Sequence, residues 1–149
     1  MDAAEQLLAI EEIRKVKARR CRAVDTKDWD LYRDCHTVDC KSYALGSDAD
    51  PVVGNEAMTQ SVRKATEGKR TNHHVHNPEI ELTSDTTATG IWAMEDVLFW
   101  EKDGKTKCLH GYGHYHETYE KVAGRWLIAS RRLVRTNAYT VELPAGALF

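Results

Sequence analysis

No run of apolar residues in this chain is long enough to cross a bilayer, which excludes a helical membrane span. The start, Met1-Asp2-Ala3-Ala4-Glu5-Gln6, lacks the basic residues and apolar stretch of a secretion signal, so a cytoplasmic protein is the expectation. There is no basic excess: 21 Lys and Arg stand against 23 Asp and Glu, a formal net charge of -2. Such a surface has no field to draw in nucleic acid or an anionic membrane. Cys21, Cys35, Cys40 and Cys108 form no C-x-x-C pair and no zinc-module spacing, and without an export signal they read as free thiols. Repeats, low-complexity runs and linkers are missing too, and 1–149 reads as a single domain.

What is present is an ordinary globular composition, 42% apolar and 30% charged, in a chain long enough to bury a substantial core. Leu7, Ile10, Ile13, Val16, Cys21 and Val24 recur at helical spacing over residues 5–24, opposite Glu11, Lys15, Arg19 and Arg22. Asp28 is a candidate cap for a short second helix with Trp29, Leu31 and Tyr32. A short strand from Cys40 to Leu45, a loop over Gly46–Pro51 and a third helix from Gly54 to Gly68 follow. Beyond Gly68 the period changes. Residues 71–83, 86–101, 106–121 and 125–138 read as four long strands, with Asp103-Gly104 and Ala123-Gly124 as hairpin turns. Helices followed by hairpin-linked strands predict an α+β fold: a curved antiparallel sheet forming a cone-shaped barrel, with about three helices packed on one face. An apolar interior of that shape is a natural small-molecule pocket.

The strand chemistry is uneven. Ala88, Gly90, Trp92, Met94, Asp96, Leu98 and Trp100 share one face by period-two alternation, and Asp96 is the one charge in it. A carboxylate there either lines a pocket or pairs with an arginine, because burying it alone is costly. Arg131, Arg132 and Arg135 lie among Leu127, Ile128, Leu133 and Val134, and Arg135 with Asp96 is one such pairing. His110, Tyr112, His114 and His116 share a face, an arrangement that reads as a solvated or interfacial surface ahead of a metal site; His110 remains a pocket candidate. His73, His74 and His76 open the first long strand. Strict alternation with Ile80 and Leu82 turns His74 and His76 inward, whereas a bulge at Pro78 turns His73 inward.

Together these residues resemble the SnoaL-like superfamily, also called nuclear transport factor 2-like or cystatin-like. The matching stretches are Val24-Asp25-Thr26-Lys27-Asp28-Trp29-Asp30, His73-His74-Val75-His76-Asn77-Pro78-Glu79-Ile80 and Thr86 to Asp96, with Tyr119-Glu120-Lys121, Gly124-Arg125-Trp126 and Val134-Arg135. The nearest branches in pattern are the bile-acid 7-dehydratases, with scytalone dehydratases and hexachlorocyclohexane dehydrochlorinases further off. The resemblance implies that Asp25 pairs with His73, which favours the bulged reading, and that Asp96 and Arg135 occupy two further pocket positions. It also marks a departure: Arg20 stands where the bile-acid branch has a catalytic tyrosine. Arginine cannot act as a phenolic acid but can bind an anion or an enolate oxygen. Tyr43 could supply a hydroxyl in its place.

The function implied is a cofactor-independent, metal-free lyase. His73 would abstract a proton next to a carbonyl while Asp25 holds the imidazole tautomer. Tyr43, Arg20 or His110 would stabilise enolate charge or assist the leaving hydroxide, and Trp92, Met94 and Leu98 would line a pocket for an apolar polycyclic or aromatic substrate. An isomerase or cyclase using the same dyad is the second reading, and a non-catalytic ligand-binding module is the third. The C-terminal run from Tyr139 to Phe149 is apolar for a tail. It reads as cover for a neighbouring subunit or for the pocket mouth, and the resemblance implies a homo-oligomer, trimer ahead of dimer.

Overall fold

The computed structural model describes residues 1–43 and 50–147. Among these, three helices and six strands follow in the order α1 (Ala3–Thr26), α2 (Trp29–Asp34), β1 (His36–Tyr43), β2 (Val52–Val53), α3 (Asn55–Ala65), β3 (Arg70–Leu82), β4 (Thr87–Lys102), β5 (Lys105–Val122) and β6 (Arg125–Leu143). The α+β class and the helix count agree with the sequence. The sheet differs: it is open and mixed, in the order β2-β1-β6-β5-β4-β3, with β1 parallel to β6 and the other pairs antiparallel. No described helix is long and apolar enough to cross a membrane.

Local chemistry sets the boundaries. Asp2 caps α1, accepting from the Glu5 amide while the Glu5 carboxylate accepts from the Asp2 amide. Lys27 ends the helix in a left-handed conformation, φ 59°, and its amide returns to Ala23 and Val24. Asp28 caps α2 through the Leu31 amide, as its position suggested. Both residues of each predicted turn, Asp103-Gly104 and Ala123-Gly124, have positive φ, as tight two-residue hairpins require. Tyr139–Leu143, expected as a covering tail, instead prolongs β6 against Thr106–His110 of β5. Most of the Gly46–Pro51 loop, the Ala44-Leu45 end of the predicted strand, Leu148 and Phe149 lie outside the described residues.

The core lies between α1 and the inner face of β4–β6, and includes Ile13, Val16, Trp92, Met94, Tyr115, Tyr119, Ile128 and Leu133. A second cluster, Ala23, Val24, Tyr32, Cys40 and Met58, joins the end of α1 to α2, β1 and α3. The inner stripe of α1 departs from the sequence reading. Leu7 is exposed, while Lys17 and Arg20 are buried at 0% and 2%. Lys17 follows Ile13 by four residues and Arg20 follows Val16 by four, so both fall on the core side. Lys17 meets Glu117 of β5 at 2.5 Å, with both side chains fully buried. Tyr119 donates to Glu117, and the Trp92 indole donates to Tyr119 at 2.8 Å. Burial pulls the Lys17 ammonium below its ordinary pKa; it also opposes ionisation of Glu117, where Lys17 outweighs it and the net shift is downward.

Removing one member of this pair strands the other in a dry core. Lys17→Met is expected to cost about 3–5 kcal/mol in urea unfolding, with much of that recovered in Lys17→Met/Glu117→Leu. A double variant no more stable than the single one would show that the ion pair is not the source of the loss.

Candidate active site

Asp25 lies on the last turn of α1, facing the start of β3. Thr71 and His73 project toward it from alternate positions of that strand. One carboxylate oxygen accepts from the Thr71 hydroxyl at 2.9 Å and lies 2.7 Å from His73 Nδ1, while the other accepts from the His73 amide at 2.8 Å. A carboxylate accepts only, so Nδ1 carries the proton and Nε2 presents a lone pair. Burial raises the Asp25 pKa, but the bonds from His73 and Thr71 outweigh it and hold the group below the usual carboxylate range. For His73, burial and the Arg20 charge disfavour the imidazolium more than Asp25 and Asp96 favour it, and its pKa falls below the ordinary value. The ring is therefore neutral at pH 7.

The bulge decides which histidine faces inward. The β3–β4 register slips between His76 and Glu79, where Asn77 adopts φ 42°. Val75 packs on the core with Ile80 and Leu82, and the His73 side chain is 10% exposed. His74 and His76, at 64% and 50%, point to the opposite face.

Asp96 is the direct cross-strand neighbour of His73. Arg135 holds it with two parallel bonds of 2.8 Å. Gly111 lies beneath this pair, and a Cβ there would overlap both the Arg135 guanidinium and the Asp96 carboxylate. Arg20, from α1, reaches Tyr115 and Tyr32 only through long contacts of 3.4 and 3.5 Å. Dyad, Asp96–Arg135 pair and Arg20 thus share the inner side of the sheet.

Two sequence-derived candidates are placed elsewhere. Tyr43 pairs in register with Arg132 and lies under its guanidinium at 4.4 Å, on the face opposite the dyad. His110 is also on that outer face, bonding the Tyr139 hydroxyl at 3.0 Å and Glu95 at 3.1 Å and stacking on Tyr112. Neither reaches the site. Trp92 and Met94, expected to line the pocket, face inward and pack within the buried core cluster at 4% and 3% exposure. Four cavities of about 230 to 470 Å³ open at the surface, and none of the four is lined by Asp25 or His73. Residues the sequence did not single out include Thr71, Lys17, Glu117, Tyr115 and His36. The Thr-x-His spacing is a readable sign for the first; His36 carries none.

The SnoaL-like domain family matches residues 5–132. The chain belongs to the SnoaL-like family. Solved structures similar to this SnoaL-like chain include a putative scytalone dehydratase from Novosphingobium aromaticivorans, at 20% identity and a TM-score of 0.81 over 98% of this chain and 99% of that one. A type 2 hexachlorocyclohexane dehydrochlorinase is similar at 16% identity and a TM-score of 0.79, covering 98% and 95%. A Mycobacterium tuberculosis protein described as of unknown function is 26% identical, with a TM-score of 0.76 over 92% and 77%. A nuclear transport factor 2-like protein with a cystatin-like fold, also from Novosphingobium aromaticivorans, gives 0.71 at 20% identity over 91% and 87%.

The charges acting on His73 have testable signs. Arg20→Gln should raise the His73 pKa and Asp96→Asn should lower it, each read from the ring resonances in an NMR pH titration; shifts in the reverse sense would disprove the placement of these charges. A second expectation concerns stability. His73 and His36 both have depressed pKa values in the fold, the latter chiefly by burial and by Arg20. The unfolded chain binds protons at these rings near pH 6.5 while the folded chain does not, so stability should be full above about pH 6.5 and fall as the pH drops below it. A melting temperature flat from pH 7 to 5 would contradict this.

Proposed function

We propose that this SnoaL-like protein is a cofactor-independent lyase whose base is His73 oriented by Asp25. The observation that carries the reading is the triple clamp on Asp25, which fixes His73 as the Nδ1–H tautomer with a free Nε2 lone pair. Carboxylate, imidazole and an adjacent charge pair are the parts needed for proton abstraction next to a carbonyl. Nε2 takes the proton, Asp25 stabilises the imidazolium, and the electron pair moves onto the carbonyl oxygen. Of the three groups considered for holding that enolate, Arg20 is the one on the dyad's side of the sheet. Collapse of the enolate re-forms the carbonyl, makes the Cα–Cβ double bond and breaks the Cβ–O bond, and the His73 imidazolium returns its proton to the departing hydroxyl, which leaves as water. The dehydratase and dehydrochlorinase relatives, named for eliminations, support the lyase over other reactions, and the substrate class is a small, largely apolar carbonyl compound. Assembly as a homo-oligomer and a cytoplasmic location belong to the same proposal.

An isomerase shares every step except departure of a leaving group, and product mass distinguishes the two. The test uses β-hydroxy ketones on mono- and bicyclic aromatic frames in D₂O. Wild-type protein should exchange the α-proton and release water, and Asp25→Asn and His73→Ala should slow both by about 10²–10⁴-fold. Activity should decline in acid, at a pH below the ordinary imidazole range, because the fold holds the His73 pKa below its usual value. Folded variants that keep full exchange would overturn the dyad. Exchange with unchanged product mass would favour the isomerase, and tight binding without exchange would favour a binding module.

A further inference from the structure

The interior around the dyad holds more positive than negative charge. Lys17, Arg20 and Arg131 surround the buried Tyr115 ring, with Nζ at 3.6 Å and the two guanidinium carbons at 5.3 and 5.5 Å from its centroid. Arg135 lies nearby with Asp96. Against these four cations stand three carboxylates: Glu117 is committed to Lys17, Asp96 to Arg135, and Asp25 to Thr71 and His73. Arg20 makes no ion pair with a carboxylate among the described residues; Glu117 acts on it only at longer range, and its guanidinium carbon lies 5.3 Å from the Tyr32 and Tyr115 ring centroids. It is 2% exposed, and its Nε is buried without any hydrogen-bond partner. Arg131 Nε is in the same position.

His36 does not compensate. Its Nδ1 lies 2.7 Å from the Tyr32 carbonyl, which fixes the proton there and leaves Nε2 as an unpaired, uncharged acceptor. A guanidinium stays charged at any working pH, and burying it without a carboxylate in hydrogen-bond reach is costly. A transient enolate cannot offset that cost when substrate first binds, before any charge has formed. A substrate group that is already anionic can.

We propose that the substrate carries a permanent carboxylate and that Arg20 receives it. This rests on the lyase reading and narrows its substrate class, from an apolar carbonyl compound to an apolar carbonyl acid. The Tyr32 and Tyr115 hydroxyls are the groups that would yield, since their contacts with Arg20 are at the long limit and a carboxylate offers shorter, charge-assisted bonds. Docking would also act on the base. Arg20 lowers the His73 pKa, so an anion that neutralises Arg20 raises it and makes Nε2 more basic as substrate arrives.

The test needs no turnover. Calorimetry compares 2-naphthoate with its neutral amide, 2-naphthamide, on wild-type protein, Arg20→Gln and Arg20→Lys, with chloride as a third probe. The acid should bind about tenfold or more tightly than the amide, the scale of one charge-assisted hydrogen bond. That preference should vanish in Arg20→Gln, survive in part in Arg20→Lys, and persist in Asp25→Asn, so the outcome is independent of whether the dyad is catalytic. The His73 titration should move up with naphthoate and stay put with the amide. Equal binding of acid and amide by the wild type, or binding of neither, overturns the proposal. So does chloride raising the melting temperature as much as naphthoate does, which would make Arg20's partner a structural counter-ion.

Discussion

Everything at this site depends on one carboxylate joining the end of a helix to the opening of a strand. Asp25 sits at the negative end of α1, where an acid is disfavoured by about 0.3–1 kcal/mol. Three donors from β3 hold it there, two of them from His73 alone. The bond from the His73 amide fixes the backbone, and the bond to Nδ1 fixes the ring, so neither tautomer nor rotamer is left to chance. The three bonds outweigh that local preference, and the proposed base rests on the geometry they fix. The αL turn at Lys27 contributes by ending the helix two residues beyond Asp25 and sending the chain toward α2.

The second organising feature is that the interior is charged. A helix laid on a sheet buries an apolar stripe, and here two cations share that stripe with Ile13, Val16 and Val24. Lys17 with Glu117, tied onward to Tyr119 and Trp92, couples α1 to β4 and β5 by groups whose partners are fixed. Such a pair contributes little net stability over an apolar equivalent, because desolvation cancels the attraction. Its effect is positional: helix and sheet cannot slide without stranding a charge. The glycines of β5 serve the same end, since Gly111 leaves the space that the Asp96–Arg135 pair fills.

Much of this was readable from residue order. Alternation along β4 placed Asp96 inward, and an arginine among apolar neighbours on β6 supplied its partner. Pro78, which cannot donate to a ladder, made a bulge one of two readings and the family resemblance favoured it; the structure has the bulge, with His73 inward and His74 and His76 outward. Where the reading failed, the cause was long-range. Tyr43 and His110 lie on strands whose inward face depends on register with distant partners: β1 slips against β6 between His36 and Lys41, and β5 between Tyr112 and Gly113. The parallel β1–β6 pairing joins segments nearly ninety residues apart, as with Ser42 and Arg131, and no local pattern announces it. Arg20 was expected at the pocket only through the resemblance, and Lys17 was missed, because a lysine on a helix is by default solvated and only the packing of α1 on the sheet shows it buried.

The two features meet at His73. Burial and Arg20 push its pKa down, while Asp25 and Asp96 push it up. Unopposed, burial and Arg20 would make the ring a weaker base, and the carboxylates would favour the imidazolium. A base works best when its pKa lies near the ambient pH, so the opposition sets the strength of Nε2 as well as its charge state. It follows that Arg20 cannot be read as a simple replacement for a tyrosine acid. Its charge belongs to the same electrostatic balance that keeps the imidazole unprotonated, and a phenol at that position would remove the cation and shift the balance toward imidazolium.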